Sequence, residues 1–287
     1  MKVRIVAIGR ALGFLVLTLS LGWLLARGVR HAVESQLLVE GAFAAAALAT
    51  SWGAVRIEGR SLASVGFGER SPARNFAAGL TFGALIVGGS AAVFRTFGWY
   101  EPKLAPSEPI VPWFLSAIVL CALVALFEET LFRGYALQTV SQAFGSTSAV
   151  VVTGVLFGAL HLVNPTPGLP AWLKLVGCGC VAFYGMLAAI SRLVTNGLWL
   201  PMGIHFAWNL LEQFVFGFAD SGVSSPKSLL HATVTGPVLL TGGSYGPEGG
   251  LVMLVLAGVA VALIVTLEGL RSRREDPEAA LPAMPRI

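Results

Sequence analysis

Two adjacent acids and a base stand out because they lie among apolar residues. Glu128 and Glu129 end a run of 19 uncharged residues, Arg133 follows one helical turn later, and 40 residues without a formal charge come next. Ionised side chains at the centre of a membrane helix cost ~2.5–3.5 kcal/mol each, so we expect these groups to face partners in a functional site. The spacing of Glu129 and Arg133 predicts an ion pair, which directs Glu128 to another side of the helix.

Three further polar residues occur in two later apolar stretches. His161 lies near the end of one stretch, and His205 and Asn209 lie in the other, four positions apart. Residues four apart share one face of a helix, so His205 and Asn209 point the same way. Polar side chains in apolar helices satisfy one another only by converging, and we therefore expect all of these residues to meet.

A converging set of glutamate, two histidines and asparagine suits hydrolysis in two ways. In the first, a carboxylate assisted by a histidine takes a proton from water, while the second histidine and the asparagine amide stabilise the oxyanion. In the second, Glu128, His161 and His205 hold a zinc ion that activates its bound water. The chain has no H-E-x-x-H motif, which excludes a soluble-type zincin. The residue types leave both schemes open.

The composition indicates the kind of protein that positions these residues. The chain has 287 residues, of which 55% are hydrophobic and 12% are charged, whereas soluble domains carry about 25% charged residues. This composition is typical of an integral membrane protein in contact with lipids. The net charge is +4, and no basic run is interleaved with aromatic residues, so nucleic acid is not an expected partner.

Apolar stretches of about 20 residues, the length that crosses a bilayer, recur along the chain. They predict an all-α fold, a polytopic transmembrane helical bundle of about eight spans. We place the spans near residues 8–26, 36–54, 76–97, 111–133, 147–163, 172–190, 197–217 and 250–268. The first follows a basic start, like a cleaved secretory signal, but its length favours a membrane helix.

The connections between the spans predict orientation and organisation. Twelve lysines and arginines lie on the side of the termini and six on the other side, which predicts that both termini are cytoplasmic. The short chain and compact loops suggest a bacterial cell membrane. We expect N-terminal helices and a cytoplasmic loop in residues 1–109, a catalytic core in residues 110–217, and an extracytoplasmic loop, last helix and cytoplasmic tail in residues 218–287. The loop is Asp220 to Gly250, and a disordered tail begins at Arg271.

Three motifs resemble those of a known family. They are Glu128-Glu129-Thr-Leu-Phe-Arg133, Phe157-Gly-Ala-Leu-His161 and His205-Phe-Ala-Trp-Asn209, in this order. They resemble the EExxxR, FxxxH and HxxxN motifs of the CPBP intramembrane proteases, which include the CAAX prenyl endopeptidases and the bacterial Abi or bacteriocin self-immunity proteins. The resemblance covers about residues 110–217 and implies cleavage of a peptide bond at or within the membrane.

The resemblance also implies a role for each residue. Glu128 is the base that activates water, and His161 helps to orient it. His205 and Asn209 stabilise the oxyanion, while Glu129, anchored by its arginine, supports the site. The family is described both as metal-free glutamate proteases and as zinc metalloproteases. The implied substrate is a peptide or membrane protein, and the motifs do not specify a prenyl group.

Two other functions fit buried polar residues in membrane helices. An ion-coupled transporter would use the charges as a relay, and Pro201-Met-Gly203 predicts the broken helix that such proteins use, although no internal repeat accompanies it. A non-catalytic scaffold or immunity factor would keep the fold and act by binding. Substitution of Glu128 distinguishes these functions, because only the enzyme would lose a catalytic activity.

Overall fold

A computed structural model describes residues 2–32, 35–105, 109–164, 166, 168–231 and 233–275. These residues form the predicted all-α bundle. The α-helices within them are α1 (Lys2–Ala32), α2 (Gln36–Ile57), α3 (Pro72–Thr96), α4 (Ile110–Glu129), α5 (Leu137–Phe144), α6 (Ser146–Leu160), α7 (Ala171–Thr195), α8 (Trp199–Asn209), α9 (Val238–Thr241) and α10 (Leu251–Glu275). Short 3₁₀ turns occur at Leu62–Val65, His161–Val163, Gly243–Tyr245 and Pro247–Gly249.

Seven helical stretches in the described residues are long and apolar enough to cross a membrane. They are Arg4–His31, Gln36–Ile57, Pro72–Thr96, Ile110–Phe144, Ser146–Val163, Ala171–Thr195 and Leu251–Arg271. The chain is therefore an integral, multi-pass membrane protein. The remaining predicted span, residues 197–217, contains the shorter helix α8. The predicted break at Pro201 is absent, because Pro201 lies in the first turn of α8, where a missing N–H leaves no hydrogen bond unmade.

Two α-helices continue as π-helical turns close to the predicted site residues. A π-helical segment, Thr130–Ala136, follows Glu129 at the end of α4, and a second, Leu210–Val215, follows Asn209 at the end of α8. In π-helical turns the backbone bonds reach five residues instead of four, and such turns are rare and frequently lie at functional sites. The first segment therefore sets the direction of Arg133 within its motif, and the second sets the directions of the side chains that follow Asn209.

Close helix crossings fix the positions of the two partly buried histidines. Helix α8 crosses α3 so closely that a Cβ atom on Gly203 would clash with the Phe76 carbonyl oxygen. Helix α6 crosses α7 in the same way, since a Cβ atom on Gly158 would clash with the Cys178 carbonyl oxygen. Small residues allow membrane helices to approach at this distance. His205 and His161 are thereby held at defined depths.

The connection between α8 and α10 corrects one prediction. We expected a polar loop from Asp220 to Gly250, but much of it folds onto the bundle, and Tyr245 in its second half is completely buried. One part forms the strand β2 (Leu230–His231), which pairs antiparallel with β1 (Lys103–Leu104). Gly242 and Gly246, with φ of 76° and 113°, make the turns that only glycine adopts readily.

The structure also corrects the predicted start of the disordered C-terminal tail. Helix α10 continues through Arg271 to Glu275, so the start of the expected disordered segment is helical. Residues 276–287 of that segment lie outside the described residues. The cytoplasmic location of the termini stays a prediction.

Candidate functional site

A cavity of about 280 Å³ lies where α4, α6, α7 and α8 meet. Its walls include all six residues singled out in the sequence: Glu128, Glu129, Arg133, His161, His205 and Asn209. Apolar side chains such as Leu120, Val124 and Leu187 complete the lining. The cavity thus combines a small polar group with an apolar wall, as ligand and substrate sites commonly do.

The predicted ion pair between Glu129 and Arg133 is confirmed. Arg133 Nη1 lies 3.3 Å from Glu129 Oε1, and both side chains are almost completely buried. Arg133 Nη2 donates a hydrogen bond to the Gly185 carbonyl oxygen at 3.2 Å, and the guanidinium lies 4.2 Å from the centre of the Phe157 ring. A buried charge pair is stable only when further contacts satisfy its remaining groups. Helix α7 and Phe157 supply some of these contacts, while Glu129 Oε2 and Arg133 Nε make no hydrogen bond among the described residues.

His205 connects the two acids. Its Nδ1 donates to Glu129 Oε1 at 2.9 Å, and its Nε2 lies 3.7 Å from Glu128 Oε2. Glu128 therefore turns away from Arg133 and toward the cavity, as predicted. The Glu129 carboxylate favours a protonated imidazole ring, and in that form Nε2 also carries a hydrogen that it can donate. The side chains of Glu128 and His205 keep about one-seventh of their surface exposed.

His161 and Asn209 stand on the cavity wall beside this network. His161 Nδ1 lies 2.8 Å from the Phe157 carbonyl oxygen, a contact that requires a hydrogen on Nδ1. In the neutral ring, Nε2 is then a hydrogen-bond acceptor. Asn209 is buried and lines the same cavity. Within the described part of the chain, neither residue hydrogen-bonds to Glu128, so a molecule between them would have to bridge these groups.

The proposed zinc ligands do not form a closed metal site. In the described residues, the ligand atoms of Glu128, His161 and His205 do not all lie within 4.8 Å of one another, whereas those of another group do. A zinc ion with bonds of about 2.0–2.2 Å to nitrogen and oxygen needs its ligands at least this close. The arrangement of these three side chains therefore does not fit a zinc ion held by all of them.

Further acids near the site were missed in the sequence. Asp220 and Glu248 line the same cavity, and Glu212 lies beside them on the π-helical end of α8. Asp220 and Glu248 had been placed in a polar loop, where charges are ordinary. Glu212 carried a usable signal, because it is a formal charge inside a predicted span, three residues after Asn209.

Comparison with known families identifies the core of the chain. Residues 110–211 match the family model described as type II CAAX prenyl endopeptidase Rce1-like. These residues make up somewhat more than a third of the chain, and over them the chain is similar to the type II CAAX prenyl endopeptidases. The match begins at the start of α4, ends just after α8, and contains all six predicted site residues. A comparison with curated proteins finds no match.

The cavity therefore lies in the part of this multi-pass membrane protein that is similar to the CAAX prenyl endopeptidases, which makes it a candidate protease site. The match does not extend to Glu212, Asp220 or Glu248. These acids belong to the part of this chain that follows the family core.

Proposed function

We propose that the chain is an intramembrane endopeptidase in which Glu128 activates water without a metal ion. Glu128 lines the cavity, stays partly exposed and forms no ion pair with an arginine or lysine among the described residues. His205 Nε2 lies 3.7 Å away, beyond hydrogen-bond distance, so the Glu128 carboxylate is free to accept a proton. Glu129 differs, because its carboxylate already pairs with Arg133 and accepts a hydrogen bond from His205. The two adjacent acids therefore have separate roles, with Glu128 as base and Glu129 as support.

The first step is attack on the peptide carbonyl carbon. Glu128 takes one proton from water as the water oxygen bonds to that carbon, and His161 Nε2 accepts a hydrogen bond from the other proton. The carbonyl oxygen becomes an oxyanion. His205 Nε2–H and the Asn209 side-chain amide donate hydrogen bonds to it, a contribution worth ~3–4 kcal/mol per donor in well-studied hydrolases.

The second step breaks the carbon–nitrogen bond. Protonated Glu128 gives its proton to the leaving nitrogen, which departs as an amine, and the oxyanion collapses to a carboxylic acid that ionises. Glu128 returns to its starting charge. The apolar lining assists both steps, because electrostatic interactions are stronger where water is excluded.

One observation carries this proposal. A single imidazole, His205, lies between a buried, charge-paired glutamate and a second glutamate that opens to the cavity. Glu129 and Arg133 fix the ring, so Nε2 faces the space that a substrate carbonyl would occupy. A scaffold or a transporter would not require a ring held in this way.

The test is peptide hydrolysis by the purified full-length protein in detergent or lipid nanodiscs. A library of membrane-anchored and CAAX-ended peptides, incubated in isotopically labelled water, is analysed by mass spectrometry. We expect internal cleavage with one labelled oxygen in each new carboxyl terminus. His205→Ala should reduce the rate at least ~100-fold through the loss of an oxyanion donor.

His231→Ala is the matched control, because His231 lies exposed on β2. It should cleave at the wild-type rate. Absence of cleavage by folded wild-type protein across the library would reject the proposed function. Equal rates for His205→Ala and wild type would reject the role of the ring.

A further inference from the structure

A second group of acids lies beside the candidate protease site. Glu212 follows α8, Asp220 lies in the connection after it, and Glu248 lies just before α10. One carboxylate oxygen from each lies within 4.8 Å of those of the other two. Glu212 is completely buried and Glu248 is 6% exposed. We call these three residues the acid triad.

The connection between α8 and α10 is folded so that it brings the triad together. Gln213 Nε2 donates to Asp220 Oδ2 at 2.6 Å. The Ser221 backbone N–H donates to Glu248 Oε1 at 2.7 Å, and the Ser221 hydroxyl donates to the same oxygen. The Gly222 N–H donates to the Tyr245 carbonyl oxygen at 2.7 Å and ties the two ends of the connection together. Hydrogen bonds within this connection therefore hold Asp220 and Glu248 of the triad in place.

Glu212 has both carboxylate oxygens buried without a partner. Neither oxygen accepts a hydrogen bond of normal length and angle within the described residues, although the indole N–H of Trp208 and the backbone N–H of Glu248 lie near the carboxylate. Buried polar groups of native proteins are nearly always satisfied, so each exception calls for an unseen ion, water or proton. Glu212 therefore points to a ligand that the protein atoms do not supply.

The charge of the triad leads to the same conclusion. Among the described residues, no arginine or lysine forms an ion pair with Glu212, Asp220 or Glu248. Burial raises the pKa of the Glu248 carboxyl well above its usual range and raises that of Asp220 as well. Asp220 is only partly buried and has the rings of His161 and His205 near it. The buried carboxylates of Glu212 and Glu248 are costly without a counter-charge, whereas a divalent cation bound by the triad would offset most of that cost.

We propose that the acid triad binds a divalent cation, with Ca²⁺ as the best match. Carboxylate oxygens are the ligands that Ca²⁺ prefers, and Ca²⁺ takes six to eight of them, with water and carbonyl groups filling the remaining positions. Oxygens within 4.8 Å of one another can share a centre at about 2.3–2.6 Å from each. The bound cation holds the connection between α8 and α10 in place beside the catalytic cavity, whose lining includes Asp220 and Glu248.

The test uses purified full-length protein in detergent, stripped with a chelator and then freed of it. Equilibrium dialysis against Ca²⁺, Mg²⁺ and Mn²⁺ gives the stoichiometry, and the melting temperature is followed over the same titrations. We expect one Ca²⁺ per chain and a rise in melting temperature. Glu212→Gln and Glu248→Gln should each weaken Ca²⁺ binding at least ~10-fold. Glu101→Gln, at an exposed acid before β1, should leave binding unchanged.

The luminescence of bound Tb³⁺ provides a second measurement of cation binding. Tb³⁺ mimics Ca²⁺, and Trp208 lies close enough to Glu212 to sensitise its luminescence. We expect sensitised emission that Ca²⁺ competes away and that is lost in Glu212→Gln. No saturable Ca²⁺ binding by wild type, or equal binding by wild type and both variants, would overturn the proposal and leave a triad that holds only protons. These measurements do not involve peptide cleavage, so their failure is separate from failure of the protease proposal.

Discussion

Two groups of buried acids border one cavity, and they differ in what balances their charge. Glu129 is held by Arg133 on one side and by His205 on the other, at 3.3 and 2.9 Å. Glu212 is equally buried, but it pairs with no base among the described residues and its nearby donors, the Trp208 indole and the Glu248 backbone N–H, do not reach normal hydrogen-bond geometry. The first group therefore has its counter-charges within the protein, although Glu129 Oε2 and Arg133 Nε make no hydrogen bond among the described residues, while the second group has no arginine or lysine paired with it.

The difference shows that burial alone does not define the role of an acid in a membrane protein. Taking a carboxylate out of water costs several kcal/mol, and the partner that offsets this cost determines what the acid can do. A paired acid can orient a catalytic ring. An unpaired group of acids can bind a proton or a cation. The same substitution at the two places should therefore have opposite effects.

Glu129→Met should produce the largest change in stability. Methionine fills a similar volume but leaves Arg133 as a buried charge without its acid, which costs ~3–5 kcal/mol. The measurement is thermal or chemical unfolding of the purified protein in detergent, with the exposed Arg95→Ala as a control for surface changes. A melting curve identical to wild type would show that the ion pair contributes little.

Glu212→Met should have the opposite sign in buffer that contains a chelator. The substitution removes a buried acceptor without a partner, and we expect a gain of ~1–3 kcal/mol in the free energy of unfolding. Saturating Ca²⁺ should reverse the order, because it stabilises only the wild type. Destabilisation by this variant in the chelator would mean that Glu212 has a favourable partner, and the contrast with Glu129 would fail.

The helices and the protease motifs could be predicted from the sequence because both depend on local spacing. Glu129 and Arg133 are neighbours on any helix, and their ion pair follows from four residues of separation. The position of His205 beside Glu129, 76 residues away, needed the assumption that buried polar groups converge. That assumption was correct for this pair.

The acid triad could not be predicted in the same way. Asp220 and Glu248 lie in a segment with no hydrophobic period, and glycine turns and hydrogen bonds to Ser221 bring them together. Such contacts form between residues distant in sequence, which composition does not reveal. The segment was predicted to be a polar loop because it is rich in glycine, serine and proline, and the burial of Tyr245 could not be inferred from that composition.

The pH dependence of stability gives a smaller effect that sharpens the contrast. Burial raises the pKa of Glu248, and the acids that face it are Asp220, Glu212 and Glu128. Without divalent cations, the folded state keeps a proton that the unfolded chain releases above about pH 4.3. The wild type should therefore lose stability relative to Glu248→Gln as the pH rises from 4 toward the raised pKa. A difference between the two melting temperatures that does not change with pH would contradict this.

The most direct test of the account is peptide hydrolysis by Glu128→Gln beside Glu40→Gln. Glu40 is a partly buried acid on α2 close enough to Glu128 to interact with it electrostatically, so both variants remove one negative charge from the same region. Glu128→Gln should fold and melt like wild type but cleave at least ~1,000-fold more slowly, because the base that activates water is gone. Glu40→Gln should retain most of the activity. Wild-type rates of cleavage by Glu128→Gln would contradict the account.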